Sequence, residues 1–255
     1  MKISGNTILI TGGGSGIGRA LAESFHTLGN RVIVAGRRQA ALDEVTRANP
    51  GMAALALDIE NAAAIREFAA RLTARHPALN MIMHNAGIMR PESLADATDY
   101  LADAEATVAT NLLGPIRLTA ALLPHLKKQP EAAIMTVTSG LAFVPLAGCP
   151  TYCATKAALH SYTESLRYQL KDTTVEVLEL APPYVQTELM GSHQAADPRA
   201  MPLEDFIAET MQLLTASPTP PEILVERVKP LRFAAQGDYA DFFKTFNDAM
   251  TATRH

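Results

Sequence analysis

Residues 7–18 read Thr-Ile-Leu-Ile-Thr-Gly-Gly-Gly-Ser-Gly-Ile-Gly, an apolar β-branched run that breaks into glycines. Beyond the break, Ile17, Leu21, Phe25 and Leu28 recur at helical spacing, and Gly29-Asn30 ends that helix. A strand, a glycine cluster and a helix in that order form a place for a diphosphate. The first turn of a helix carries free N–H groups and partial positive charge. Gly12, Gly16 and Gly18 let the backbone turn sharply and approach phosphate oxygens without a Cβ in the way. The spacing Gly-x3-Gly-x-Gly differs from the G-x-G-x-x-G of long-chain dinucleotide enzymes. Arg19 after Gly18 removes the Gly-Lys-Ser/Thr ending of an NTP-hydrolysing loop.

Outward from this junction the pattern repeats. Arg31–Ala35, Met52–Leu57, Asn80–His84, Ala132–Val137 and Val175–Leu180 read as further strands. Helical patterns fall on Gln39–Ala48, Ala62–Ala74, Asp96–Thr110, Leu112–Lys128 and Thr155–Leu170. Short continuous apolar runs alternating with amphipathic helices describe an α/β fold: a Rossmann-like, doubly wound parallel sheet with helices on both faces. The count is six strands, with a seventh open. After the proline-rich joint Ala216–Glu222, the tail reads as two helices rather than a strand. Ile223, Leu224 and Val228 lie on the first, and Tyr239, Phe242, Phe243 and Phe246 on the second. The expected organisation is one domain over residues 1–255. Its catalytic core is 1–190, its lid and helix 188–217, and its helical C-terminal extension 218–255.

Composition narrows the function. The 255 residues carry 22 basic and 26 acidic side chains, a net charge of −4, which argues against a nucleic-acid partner. There is no Trp, and Phe and Tyr number 8 and 6, too few for an extended stacking platform. No stretch of about 18 uncharged apolar residues suggests a membrane span. Cys149 and Cys153 make neither a disulfide framework nor a good metal site. A cytoplasmic location is expected.

The end of the second strand separates cofactors. In Rossmann-type folds a carboxylate there binds the adenosine 2′-OH and repels a 2′-phosphate. Here Gly36 is followed by Arg37 and Arg38, and a guanidinium pairs with a phosphate through two hydrogen bonds. NADP(H) is therefore favoured over NAD(H). Asp58, ending the third strand, suits either the adenine amino group or a helix N-cap. Tyr152 and Lys156 are four apart on one helix and so share a face. A nearby ammonium stabilises a phenolate, which makes the pair a candidate acid/base for carbonyl or hydroxyl chemistry. Ser139, Asn85-Ala86-Gly87, Asn111 and Thr187 come after strands or at helix ends that meet the same carboxyl rim.

The ordered set Thr11-Gly12-x3-Gly16-x-Gly18, Asn85-Ala86-Gly87, Asn111, Ser139, Tyr152-x3-Lys156 and Pro182-x4-Thr187 resembles the short-chain dehydrogenases/reductases of about 250 residues. The resemblance spans residues 7–190. It implies that Tyr152 is the general acid in reduction and the base in oxidation. Lys156 would assist it and hold the nicotinamide ribose, Ser139 would bind the substrate oxygen, and Asn111 would anchor a water in a proton relay. Gly12, Ser15, Gly16, Ile17 and Gly18 would cradle the diphosphate. Arg37, Arg38, Asp58, Ile59, Asn85, Ala86 and Gly87 would line the adenosine side, and Pro182, Val185 and Thr187 the nicotinamide. The chain departs from the pattern at Pro183, where relatives usually have Gly, and in its tail, where many have a seventh strand that supports a tetramer. A homodimer through the helices around 112–128 and 153–170 is the expectation.

The expected pocket wall is Leu141, Phe143, Val144, Leu146, Pro183, Tyr184 and Leu189, under a polar, mobile lid from Glu188 to Met201. No cation is placed there to grip a carboxylate, so the expected substrate is a small to medium, mainly apolar carbonyl or alcohol. The competing reading is a dinucleotide-binding redox sensor or scaffold without turnover. A serine hydrolase is disfavoured because Ser139 lacks a G-x-S-x-G elbow.

Overall fold

A computed structural model describes residues 1–95 and 99–251. The strands are β1 (Thr7–Thr11), β2 (Arg31–Gly36), β3 (Ala53–Ala56), β4 (Leu79–His84), β5 (Ala132–Val137), β6 (Val175–Leu180) and β7 (Glu222–Ile223). They form one parallel sheet in the order β3-β2-β1-β4-β5-β6-β7. The order reverses between β1 and β4, and the crevice above that switch point is where ligands bind in such sheets.

The apolar runs have no polar face because both sides of the sheet are covered. On one side Ile8, Ile10, Val32, Val34, Met81 and Met83 pack under α1 (Gly16–Thr27), α2 (Gln39–Ala48) and α8 (Leu203–Leu214). On the other, Leu9, Ile33, Ile82 and Ile134 meet α3 (Ala62–Arg75), α5 (Gly114–Leu126) and α6 (Pro150–Leu170). Alternate residues of each strand therefore serve opposite layers.

The two helices read on either side of residue 111 are one continuous run. α4 (Leu101–Val108) passes through a π turn, Ala109–Leu113, into α5. The expected start at Asp96 lies outside the described residues. At 26 residues and a mean hydropathy of 1.3, this run is long and apolar enough by length and composition to cross a membrane. Its apolarity is used in the core instead: Leu118, Leu122 and Leu126 are fully buried with Ile65, Phe68 and Leu72 of α3.

The tail corrects the expectation. Residues 222–223 form β7, paired with β6 through Glu179↔Glu222 and Leu180↔Ile223. A two-residue strand behind Pro220-Pro221 leaves no periodic signature, and Ile223, Leu224 and Val228 mimic helical spacing. With the seventh strand present, the tail gives no ground for preferring a dimer to a tetramer. After β7 come a 3₁₀ turn at Glu226–Val228, the short α9 (Lys229–Arg232) and α10 (Tyr239–Thr251). Pro230 sits in the first turn of α9, where its missing N–H costs nothing. α10 is the expected second helix. Its Asn247 accepts from Ala147 N (2.7 Å) and donates to Pro145 O (3.1 Å), which ties it to the loop ahead of Tyr152.

Candidate active site

The cleft begins at the β1–α1 turn. Gly12 has φ +67°, and a Cβ there would come within 2.8 Å of Asn85 Nδ2 and 2.9 Å of Ala86 Cα. A Cβ on Gly18 would collide with the Asn85 side chain and the Gly12 carbonyl. The glycines are therefore needed for the close approach of β1, α1 and the β4 end. Asn85 holds that approach, donating to Thr11 O (3.0 Å), while Thr11 Oγ1 accepts from the Asn85 and Ala86 amides (3.1 Å each). Ser15 caps no amide of α1 with its side chain, and the first turn contains no acid. The helix start thus offers free N–H groups and uncompensated positive charge to an anion in the crevice.

One cavity of about 490 Å³ runs from Arg37 and Arg38, past Gly12, Ser15, Gly16, Ile17 and Gly18, to Ser139, Tyr152 and Lys156. Ile59, Asn85, Ala86, Gly87, Pro182, Val185 and Thr187 also line it. The glycine cradle, the uncapped helix start and the length of the cleft suit a dinucleotide. At the adenosine end Arg37 Nη1 lies 2.9 Å from Glu60 Oε1, and Arg38 Nη2 donates to Ser15 Oγ at 3.2 Å. Glu60 also accepts from Thr110 Oγ1 at 2.8 Å. Asp58 is not the N-cap of α3. It is exposed, does not line the cleft, and accepts from Glu60 N at 3.1 Å in a local turn. Asn61 caps α3 in its place.

At the other end, Ser139, Tyr152 and Lys156 are all buried. Ser139 Oγ accepts from Leu141 N at 3.1 Å, which fixes its rotamer, and Tyr152 hydrogen-bonds to Ser139. Lys156 Nζ lies 5.6 Å from the Tyr152 ring centroid and donates to Val137 O at 2.8 Å. The expected acidic phenol is not what these groups alone produce. Burial pushes the Tyr152 phenol above its usual range, and the Ser139 bond opposes this only in part. Lys156 moves the other way: burial lowers its ammonium to about 8, against the pull of Glu179.

Asn111 sits within the π turn, a local widening often found at functional sites. Its amide exchanges hydrogen bonds with Ile88 N and O (2.9 Å each) and donates to Thr155 Oγ1 at 3.2 Å. The side chain is thus a brace between the β4 end and α6.

The pocket wall differs from expectation. Pro183 and Leu189 line the cleft, whereas Leu141, Phe143, Val144, Leu146 and Tyr184 do not. Leu141, Leu146 and Leu189 pack around Met89, Cys149, Tyr152 and Cys153. Phe143 packs edge-on against His160, and the Tyr184 hydroxyl donates to Asp197 at 3.2 Å. Arg90 supplies the cation that the sequence did not reveal. With Glu188 and Leu189 it borders both the main cleft and a second cavity of about 560 Å³ that His193 also lines. The lid is pinned: Gln194, in the one-turn helix α7 (Ser192–Ala195), donates to Val185 O (2.8 Å) and Thr187 Oγ1 (3.1 Å). Met201 N donates to Tyr184 O at 2.8 Å. The sequence did not reveal Arg90 and Gln194, which line the cleft, nor Glu60 and Glu179, which stand behind Arg37 and Lys156.

Residues 6–198 match the family model for short chain dehydrogenases. The chain is 42% identical over 253 residues to the uncharacterized oxidoreductase DltE of Bacillus subtilis (strain 168), covering 97% of this chain and 98% of that protein. It is 33% identical over 179 residues to the NADP-dependent 3-hydroxy acid dehydrogenase YdfG of Shigella flexneri, covering 69% and 71% respectively. A short chain dehydrogenase from Burkholderia cenocepacia J2315, solved in complex with NADP, shares the fold with a TM-score of 0.82. Its identity is 24%, over 96% of this chain and 98% of that one.

Proposed function

Because this chain belongs to the short-chain dehydrogenase/reductase family, a family of oxidoreductases, we propose that it interconverts a carbonyl and an alcohol with NADP(H), Tyr152 moving the proton. The observation that carries this reading is the single cleft that joins the arginine pair and glycine cradle to Ser139, Tyr152 and Lys156. These cleft residues would hold a nicotinamide dinucleotide, which would supply or accept the hydride. Ser139 Oγ hydrogen-bonds the substrate oxygen. The Tyr152 phenol, which burial favours in its protonated form, donates its proton to that oxygen in reduction; in oxidation its phenolate takes the proton of the alcohol. The Lys156 ammonium stabilises negative charge developing on the phenol oxygen. Around the substrate, Ile88, Pro183 and Leu189 give an apolar wall, and Arg90 and Glu188 place opposite charges at the mouth. A small to medium carbonyl with an apolar body, any polar substituent turned outwards, fits this arrangement. For assembly, we propose two-fold pairing of α5 and α6, where Tyr168 is 71% exposed, testable by light scattering.

The deciding experiment is fluorescence titration with NADPH and NADH, followed by a carbonyl and alcohol screen with the preferred cofactor. NADPH is expected to bind more tightly. Arg37→Asp places a carboxylate where a 2′-phosphate would pair and beside Glu60. Its NADPH Kd is expected to rise by about 10- to 100-fold, the loss of one charge-assisted pair, with NADH little affected. An unchanged ratio of the two constants would remove Arg37 from cofactor choice.

The pH dependence follows from Lys156. Its folded value, about 8, is below the ordinary lysine value, so the ammonium is present below pH 8 and lost above it. The kcat/KM for carbonyl reduction is expected to be flat through neutrality and to fall above about pH 8. A limb near the usual lysine value of about 10.4 would show that burial does not govern this group.

A further inference from the structure

Glu179 lies on β6 with its side chain 1% exposed. A buried carboxylate is strongly disfavoured unless it is paired and hydrogen-bonded. Thr138 Oγ1 donates to Glu179 Oε1 at 2.6 Å, and His160 Nδ1 lies 2.8 Å from Oε2 and 3.0 Å from Oε1. Both partners are adjacent to the proposed acid/base machinery. Thr138 stands between Val137, whose carbonyl receives Lys156 Nζ, and Ser139. His160 is one helical turn beyond Lys156 on α6.

We infer that Glu179 is a positioning residue: it ties the end of β5, where Val137 O receives Lys156 Nζ, to α6 and places a buried carboxylate behind that lysine. This rests on the Tyr152/Lys156 chemistry proposed above. The charges around it come from three elements. α6 contributes Lys156, His160, Glu164 (3.7 Å from His160 Nε2) and Arg167. β7 brings Glu222 into register with Glu179, and Arg232 of α9 neutralises Glu222 at 2.6 Å. Arg232 thus serves Glu222 directly and Glu179 only at longer range, and His160 is the cation in contact with Glu179. The carboxylate holds His160 above the ordinary histidine value and opposes the loss of charge that burial imposes on Lys156. The C-terminal tail, through Glu222 and Arg232, closes the outer side of this network.

The test pairs Glu179→Gln with Glu179→Asp and His160→Gln in the full chain. Turnover is measured with NADPH and a carbonyl found by the screen. Lys156 and His160 are also titrated directly by NMR on ¹³C-lysine- and ¹⁵N-histidine-labelled protein. Glu179→Gln removes the charge and keeps the shape. Its Lys156 titration and the alkaline limb of kcat/KM are expected to move down by about half a pH unit or more, with kcat lowered and KM little changed. His160 should fall back towards its ordinary value. Glu179→Asp should restore the wild-type limb, and His160→Gln should leave it in place or raise it, because the carboxylate remains. Wild-type Lys156 titration in Glu179→Gln would overturn the inference, as would equal losses in the Gln and Asp variants with unmoved limbs. Should Glu179→Gln not fold, a downward limb in His160→Gln would overturn it. The NMR titration stands even if no carbonyl is turned over, so failure of the redox reading and failure of this inference give different results.

Discussion

Tyr152→Phe is expected to lower kcat by about 10²- to 10⁴-fold, the usual worth of a positioned general acid, and to leave NADPH binding within a few-fold. The substitution removes one oxygen from a buried ring packed among Met89, Cys149, Cys153 and Leu189. The ring itself remains, so the wall of the cleft keeps its shape. Ser139 loses one hydrogen bond but keeps Leu141 N, so the stability cost is about 1 kcal/mol. Steady-state kinetics and fluorescence titration of the same preparation separate the two effects. Retained turnover would take the proton-transfer role away from Tyr152. Lost NADPH binding would make the residue structural.

The second large effect is expected from truncation before Pro218. Only a short strand and three small helical turns precede α10, yet Ile223, Val225 and Val228 are fully buried. Arg232 stacks 4.7 Å above Phe143 and pairs with Glu222. Burial of three aliphatic side chains stabilises by about 5 kcal/mol or more, a large part of an ordinary folding free energy. The truncated chain is therefore expected to melt about 10–20 °C lower or to give no cooperative transition by circular dichroism. An unchanged melting curve with full activity would make the tail dispensable.

These two sites show what a sequence displays and what it hides. Tyr152 and Lys156 were legible because helical spacing and the order of flanking motifs are written along the chain. The glycine turn was legible because its purpose, close backbone approach, admits one residue type. The ionisation of Tyr152 was not, since it depends on burial, which outweighs the hydrogen bond from Ser139. β7 was hidden by its two-residue length. The π turn was hidden because it joins two helical patterns without a break in composition. Glu179 did leave a trace. Glu176 and Glu179 are three apart in Val-Glu-Val-Leu-Glu-Leu, so a strand points them to opposite faces, and in a covered sheet one carboxylate must be buried near a partner. Arg90 left none, because a loop residue three places beyond Gly87 reaches the cleft only through the fold.

The most direct measurement is deuterium transfer. Wild-type protein and Tyr152→Phe would each be incubated with NADPH deuterated at the transferring position of the nicotinamide and a panel of ketones and aldehydes, and the products analysed by mass spectrometry. Labelled alcohol is expected from at least one carbonyl with wild type, and far less from Tyr152→Phe at equal cofactor occupancy. Tight NADPH binding by wild type with no label in any product, or equal label from both proteins, would contradict the assignment of this cleft to Tyr152-assisted carbonyl reduction.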